Sequence, residues 1–287
     1  MIFKNSVIEL AENYDYFILD IWGVIHDGNS AYPLVIEHLE ILRKLGKKIC
    51  LLSNAPRRSY KIKAVLEKLK ISAALYDFIV TSGEVVYEFL EKNQQNNFSQ
   101  FGKNYYYIGP QKDLDLLAEL GYARVDDASG ANFLLATGFD DDDSKKEEKL
   151  SQLREGLENN LIMICPNPDL IVVRKNGQEM FCAGILAQQY KEMGGEVVYF
   201  GKPYNQVYKK VFELFSIKDK TKLIAIGDGI ETDILGANNN QIASALVSGG
   251  ILSNQLKINY GQLANENEIR KICEQYKIFP QFILARL

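Results

Sequence analysis

The chain has 287 residues, 47% of them hydrophobic, and a net charge of −4 at neutral pH. This is enough for one large domain or two modest ones, and a core of that size needs no disulfide or metal to hold it. The charge gives no global attraction to nucleic acid or an anionic membrane, so neither is expected as a partner.

The opening stretch "MIFKNSVIELAENYDYF" contains acids and no long apolar run, unlike a signal peptide. No stretch approaches the ~20 apolar residues of a membrane span. "YFILD" (16–20) predicts a strand, and "PLVIEHLEILRKLG" (33–46) a helix with Pro near its start and Gly at its end. "KICLLSN" (48–54) is a second strand, "RRSYKIKAVLEKLKI" a helix, "YDFIVTS" a third strand and "GEVVYEFLEK" another helix. Strands alternating with helices of this length predict βαβ units and a parallel sheet. A polar stretch, 93–104, reads as a linker.

From Tyr105 a second α/β series begins. It comprises "YYYIG", a helix over 111–120, "NFLLATG", a helix from about 144 to 158, "LIMICPNPDLIVV" and the helix "FCAGILAQQYKEMGG". The run "DDDDSKKEEK" (140–149) reads as a solvated helix start. After "EVVYFGKP" the first style resumes with a helix over 203–215, the strand "KLIAIGDG" (222–229), a helix near 232–239 and the strand "IASALVSGG". The expectation is an α/β protein with a discontinuous Rossmann-like core, 1–102 and 196–287, and an inserted α/β cap over 103–195. The C-terminal "IRKICEQYKIFPQFILARL" is apolar enough to pack on the core or on a second subunit, leaving a homo-oligomer open. The four cysteines (50, 165, 182 and 273) are far apart and form no Cys/His cluster. Cys50, Cys165 and Cys182 sit among apolar or small neighbours and read as small hydrophobes, which fits a reducing, cytoplasmic setting.

Four stretches bear chemistry, each at the C-terminal end of a predicted core strand: Asp20, Ser53-Asn54, Lys202, and Asp228 with Asp233 in "IAIGDGIETD". Ligands of open parallel sheets bind outside those strand ends, and right-handed crossovers put the ends on one edge. Asp20 and Asp228, with Asp233 close by, offer hard oxygen ligands for Mg²⁺. Ser53 and Lys202 offer donors to phosphate oxygens, and backbone N–H groups near Gly23 offer more. A carboxylate nucleophile beside a divalent cation, a lysine and a hydroxyl is a phosphoryl-transfer site. No G-x-G-x-x-G follows the first strand, which disfavours a dinucleotide binder.

The stretches "DIWGVIHDG", "LLSNAPR", "TSGE", "YYYIG", "CPNPDL", "CAGILA", "GGEVVYFGKP" and "IGDGIETDILGA" resemble the haloacid dehalogenase superfamily, in particular its class IIA nitrophenylphosphatase and nucleotide-monophosphatase branch. The resemblance implies a Mg²⁺-dependent phosphatase acting on a small phosphorylated metabolite. It implies Asp20 as nucleophile, Mg²⁺ on Asp20, the Trp22 carbonyl, Asp228 and Asp233, and a phosphoryl pocket of Ser53, Asn54 and Lys202. Cap specificity would come from around Asn167 and Asp169. The family usually carries an acid–base Asp two residues after the nucleophile; here that position is Trp22, whose indole has one N–H and no base. The expectation is therefore a tryptophan variant, with a slow phosphate-binding module as the alternative reading. His26, with an unperturbed pKa of about 6.5, and Asp27 are the nearest candidates for the proton-transfer role.

Overall fold

The structure is a computed structural model and describes residues 1–94, 101–140, 146–173 and 179–287. Seven strands form one parallel sheet in the order Ile2–Lys4, Phe282–Leu284, Ala243–Val247, Leu223–Gly227, Tyr16–Asp20, Lys48–Ser53, Phe78–Thr81. A second, five-stranded parallel sheet has the order Val197–Tyr199, Ile162–Cys165, Phe133–Ala136, Asn104–Ile108, Ala123–Val125. Ile171–Val173 and Glu179–Phe181 pair antiparallel beside it. The architecture is a Rossmann-like core into which a smaller α/β unit is inserted.

The central strand shows why the sequence folds this way. Both faces of an interior parallel strand are covered, so its residues are apolar without alternation. Phe17 and Leu19 enter one core with Leu39 and Leu42 of the helix Val35–Lys44. Ile18 points the other way, among Cys50, Leu52, Val80, Val207 and Tyr208. That second core runs on into the smaller sheet through Phe200, Ile164, Tyr105 and Phe133. The Phe133 ring meets Phe101 and Tyr122 edge-on at 5.6 and 5.7 Å and stacks on Tyr105 at 5.9 Å.

Several sequence expectations change. Gln111–Leu120 is a 3₁₀ helix, with buried Asp113 paired to Arg57 of the core. Val197–Tyr199, assigned to the core from sequence, pairs instead with Ile162–Cys165, and the Phe200 N–H continues that ladder to the Cys165 carbonyl at 2.9 Å. Strand pattern alone does not say which of two sheets a three-residue strand joins; the register does. The C-terminal stretch packs on its own core, as the helix Glu266–Tyr276 and the strand Phe282–Leu284, the latter inserted between Ala243–Val247 and Ile2–Lys4. Residues 95–100 of the expected linker and 141–145 of the acidic run lie outside the described residues. Asp140 pairs with Lys149 at 3.0 Å. All four cysteines are buried and free. Among the described residues no helix is long and apolar enough to cross a membrane.

Phe133→Ala removes the ring at the centre of the shared core. It is expected to cost about 3–5 kcal/mol of stability, read by chemical denaturation.

Candidate active site

The site follows from strand register. Asp20 pairs with Leu52, so Ser53 lies one residue beyond it on one side. Leu19 pairs with Ile226, so Gly227 and then Asp228 lie beyond it on the other. Three neighbouring parallel strands thus end together, and the polar residue at each end faces the same edge. Asp233 arrives from a wide helical turn, Ile230–Ile234, that starts directly after the Leu223–Gly227 strand end. Lys202 follows the Val197–Tyr199 strand of the smaller sheet.

Asp20, Asp228 and Asp233 are all buried, and one carboxylate oxygen from each lies within 4.8 Å of the others. The Lys202 ammonium contacts Asp20 Oδ1 and donates to Asp233 Oδ1 at 2.8 Å. Asp233 Oδ2 accepts the Gly229 N–H at 3.1 Å, and Asp228 Oδ2 accepts the Ile251 N–H at 2.7 Å. Burial drives the Asp20 carboxyl upward, and burial together with the charge on Asp233 lifts Asp228 to about 7. Lys202 is held well above its ordinary range by Asp20 and Asp233, which outweigh its burial.

One lysine balances one of three carboxylates, so the centre is short of positive charge. Buried carboxylates without matching cations are expensive, and a hard divalent cation relieves this through oxygen ligands. The backbone leaves room for such an arrangement. Gly23 has φ +82°, and a Cβ there would lie 1.9 Å from Asp228 Oδ2. The residues present therefore fit a divalent cation.

A cavity of about 550 Å³ opens over the cluster. Asp20, Trp22, Gly23, Ser53, Asn54, Lys202, Asp228 and Asp233 all line it, as does Asp169, whereas Asn167 does not. Ser53 Oγ accepts the Ala55 N–H at 3.2 Å. Asn54 joins the two units: its amide nitrogen donates to Asp169 Oδ1 at 2.8 Å and to the Lys202 carbonyl at 3.0 Å, while its oxygen accepts the Lys202 N–H at 2.6 Å. The Gly23 N–H donates to the His26 carbonyl at 3.0 Å, so it is turned away from any anion. His26 is buried and does not line the cavity; its Nδ1 accepts the Gly28 N–H at 2.9 Å, and burial lowers it to about 4. It is not placed for the proton-transfer role.

Similarity to known proteins agrees with this geometry. A haloacid dehalogenase-like hydrolase family model matches residues 17–123, and a second model of the same hydrolase type matches 199–265. Together they take in more than half of the chain and all of the clustered acids. Both matched stretches are ones that the chain shares with haloacid dehalogenase-like hydrolases. Phosphoglycolate phosphatase 2 of Arabidopsis thaliana is 24% identical, over 87% of this chain and 88% of its own length. Sugar-phosphatase AraL of Bacillus subtilis is 25% identical, over 81% and 82%. A haloacid dehalogenase-like family hydrolase from Brucella suis superposes with a TM-score of 0.80 at 27% identity, covering 98% of both chains.

One expectation is corrected. The sequence cast the chain as a class IIA tryptophan variant and set a slow phosphate-binding module beside the enzyme. The centre is instead defined by an intact Asp20 clustered with Asp228 and Asp233, and the family models support the haloacid dehalogenase hydrolase fold without that qualifier. Reading position 22 along the chain gives it too much weight, because the centre is assembled from strand ends. The Trp22 ring lies on the cavity wall, edge-on to His26 at 5.5 Å.

Sequence reasoning missed Gly250 and Ile251, which hold Asp228, and the stacked pair Tyr32 and Tyr260, with centroids 3.9 Å apart on the cavity wall. The signal for the first was present: "VSGGIL" follows the strand Ala243–Val247, and the strand-end rule applies there too.

Lys202→Met leaves the buried acids without their cation. It is expected to destabilise the metal-free protein by about 3–5 kcal/mol at neutral pH, read by denaturant titration.

Proposed function

We propose that this protein is a Mg²⁺-dependent phosphatase that cleaves small phosphomonoesters through an aspartyl-phosphate on Asp20. The observation that carries the reading is the buried Asp20–Asp228–Asp233 cluster with Lys202 set against two of its members. Asp20, Asp228 and Asp233, with the Trp22 carbonyl, would hold the cation. When bound, it draws charge from the phosphoryl oxygens and lets an anion approach an anionic carboxylate.

The chain's own residues do the rest. Lys202 and Ser53 receive the phosphoryl oxygens, and Asn54 fixes the Lys202 backbone so that its ammonium points at Asp20. The Asp20 carboxylate bonds to phosphorus as the ester P–O bond breaks and its electron pair leaves with the alcohol oxygen. Water then bonds to phosphorus, the Asp20–phosphorus bond breaks, and phosphate and free Asp20 result. The smaller α/β unit serves in this reading as a cap over residues 103–195, extended through the strand Val197–Tyr199, on a core of 1–102 and the remainder of 196–287. Two relatives named as a sugar phosphatase and a phosphoglycolate phosphatase support a small phosphorylated metabolite as substrate.

The test is hydrolysis of p-nitrophenyl phosphate. Mg²⁺ should be required, EDTA should abolish turnover, and Asp20→Asn should lower kcat by about 10³-fold or more. Activity that survives Asp20→Asn removes the nucleophile assignment. Gly23→Ala pushes on Asp228 and is expected to raise the Mg²⁺ concentration for half-activation by about tenfold or more, measured by metal titration of the rate.

A further inference from the structure

Leaving-group departure needs a proton, and the second step needs one taken from water. The titratable groups around the cavity are few. Asp20, Asp228 and Asp233 form the cluster, and Lys202 is locked to it. Asp27 Oδ1 is taken up by the N–H groups of Asn29 and Ser30 at 2.9 and 2.8 Å. Tyr32 and Tyr260 are both raised by burial far above neutrality. Asp169 is different. It sits on the loop between the strands Ile162–Cys165 and Ile171–Val173, facing the cavity from the cap side. Its Oδ1 is fixed by the Asn54 amide at 2.8 Å, and no described residue engages Oδ2. The same Asn54 holds Lys202, whose ammonium touches Asp20, so Asp169 is tied to the nucleophile through two residues.

We propose that Asp169 is the proton donor to the leaving alcohol and, in the second step, the base that takes a proton from the attacking water. This rests on the phosphatase reading above. As the Asp20–phosphorus bond forms and the ester bond breaks, the Asp169 carboxyl proton passes to the departing oxygen, giving a neutral alcohol and an Asp169 carboxylate. That carboxylate then takes a proton from water as the water oxygen bonds to phosphorus, and the original protonation is restored with release of phosphate.

The surroundings suit a group that alternates between two forms. Burial is the main influence on Asp169 and lifts it to about 6; the charge on Lys202 and the Asn54 hydrogen bond pull the other way, and Asp233 adds to the rise. The other titratable neighbours are Asp228 across the cluster and the thiols of Cys165 and Cys182, both held neutral by burial. A general acid works best when its pKa lies near the working pH. The acid form is needed for the first step, so kcat/KM for a poor leaving group should fall as pH rises through about 6.

The experiment compares p-nitrophenyl phosphate, whose phenolate leaves unaided, with the alkyl or sugar monophosphate that the Mg²⁺-loaded enzyme hydrolyses fastest. Asp169→Asn keeps the oxygen that Asn54 binds and removes the proton. For the alkyl ester kcat/KM should fall by about 10²-fold or more, and its decline above pH 6 should vanish; for p-nitrophenyl phosphate kcat/KM should fall by less than about threefold, with a burst of nitrophenolate as the second step slows. Equal losses on both substrates, or none on either, overturn the proposal while leaving the phosphatase reading in place. An unaltered enzyme that cleaves p-nitrophenyl phosphate but no alkyl ester, or that shows no decline above pH 6, overturns it without any variant. An enzyme inert toward both substrates removes the phosphatase reading itself.

Discussion

Lys202 is bound between Asp20 and Asp233 inside a part of the protein that water scarcely reaches. Much of the site's construction follows from that contact. Ion pairs removed from water are costly unless their geometry is well supported, and the support here is visible. Asn54 clamps both backbone polar groups of Lys202, the Gly229 N–H steadies Asp233, and the Ile251 N–H steadies Asp228. Gly227 packs against Asp233 so closely that a Cβ would lie 1.9 Å from its carboxyl carbon. The residual negative charge makes a cation the natural completion of the centre.

Because Lys202 follows a strand of the smaller sheet, the centre is shared between the two α/β units. The core supplies the cluster and the floor of the cavity; Asp169, Ile171 and Val172 approach from the other side. Arg57 paired with buried Asp113 makes a second polar link across the same boundary. A common apolar core runs beneath both links, from Ile18 to Phe133. Both parts of the chain therefore contribute to the chemistry, and Asn54 touches both.

Much of this could be read from the residues. Asp20, Ser53 and Asp228 were legible because each ends an apolar run, and strand ends in a parallel sheet gather on one edge. Lys202 was legible for the same reason, although its strand was placed in the wrong sheet. What the residues did not reveal depends on register or on very short elements. Ile2–Lys4 and Phe282–Leu284 are three residues each, too short for a period to show, and the stacking of Tyr32 on Tyr260 joins positions far apart in the chain. Trp22 shows the opposite failure: its identity is conspicuous in the chain, whereas the centre's character comes from the acids that the fold gathers beside it.

The order of the strands has a consequence for how the molecule comes together. Phe282–Leu284 is the last strand of the large sheet in sequence, yet it lies inside that sheet, with Ile2–Lys4 beyond it. During synthesis the smaller unit, whose strands all lie between Asn104 and Tyr199, has its full set of partners long before the large sheet does. Until residues 282–284 emerge, Ala243–Val247 presents an open, apolar edge of the kind that pairs with other chains. The first strand meanwhile waits for a neighbour that arrives last. Vulnerability to misassembly is thus concentrated late in the making of the protein, on the flank of the sheet away from Lys48–Ser53 and Phe78–Thr81.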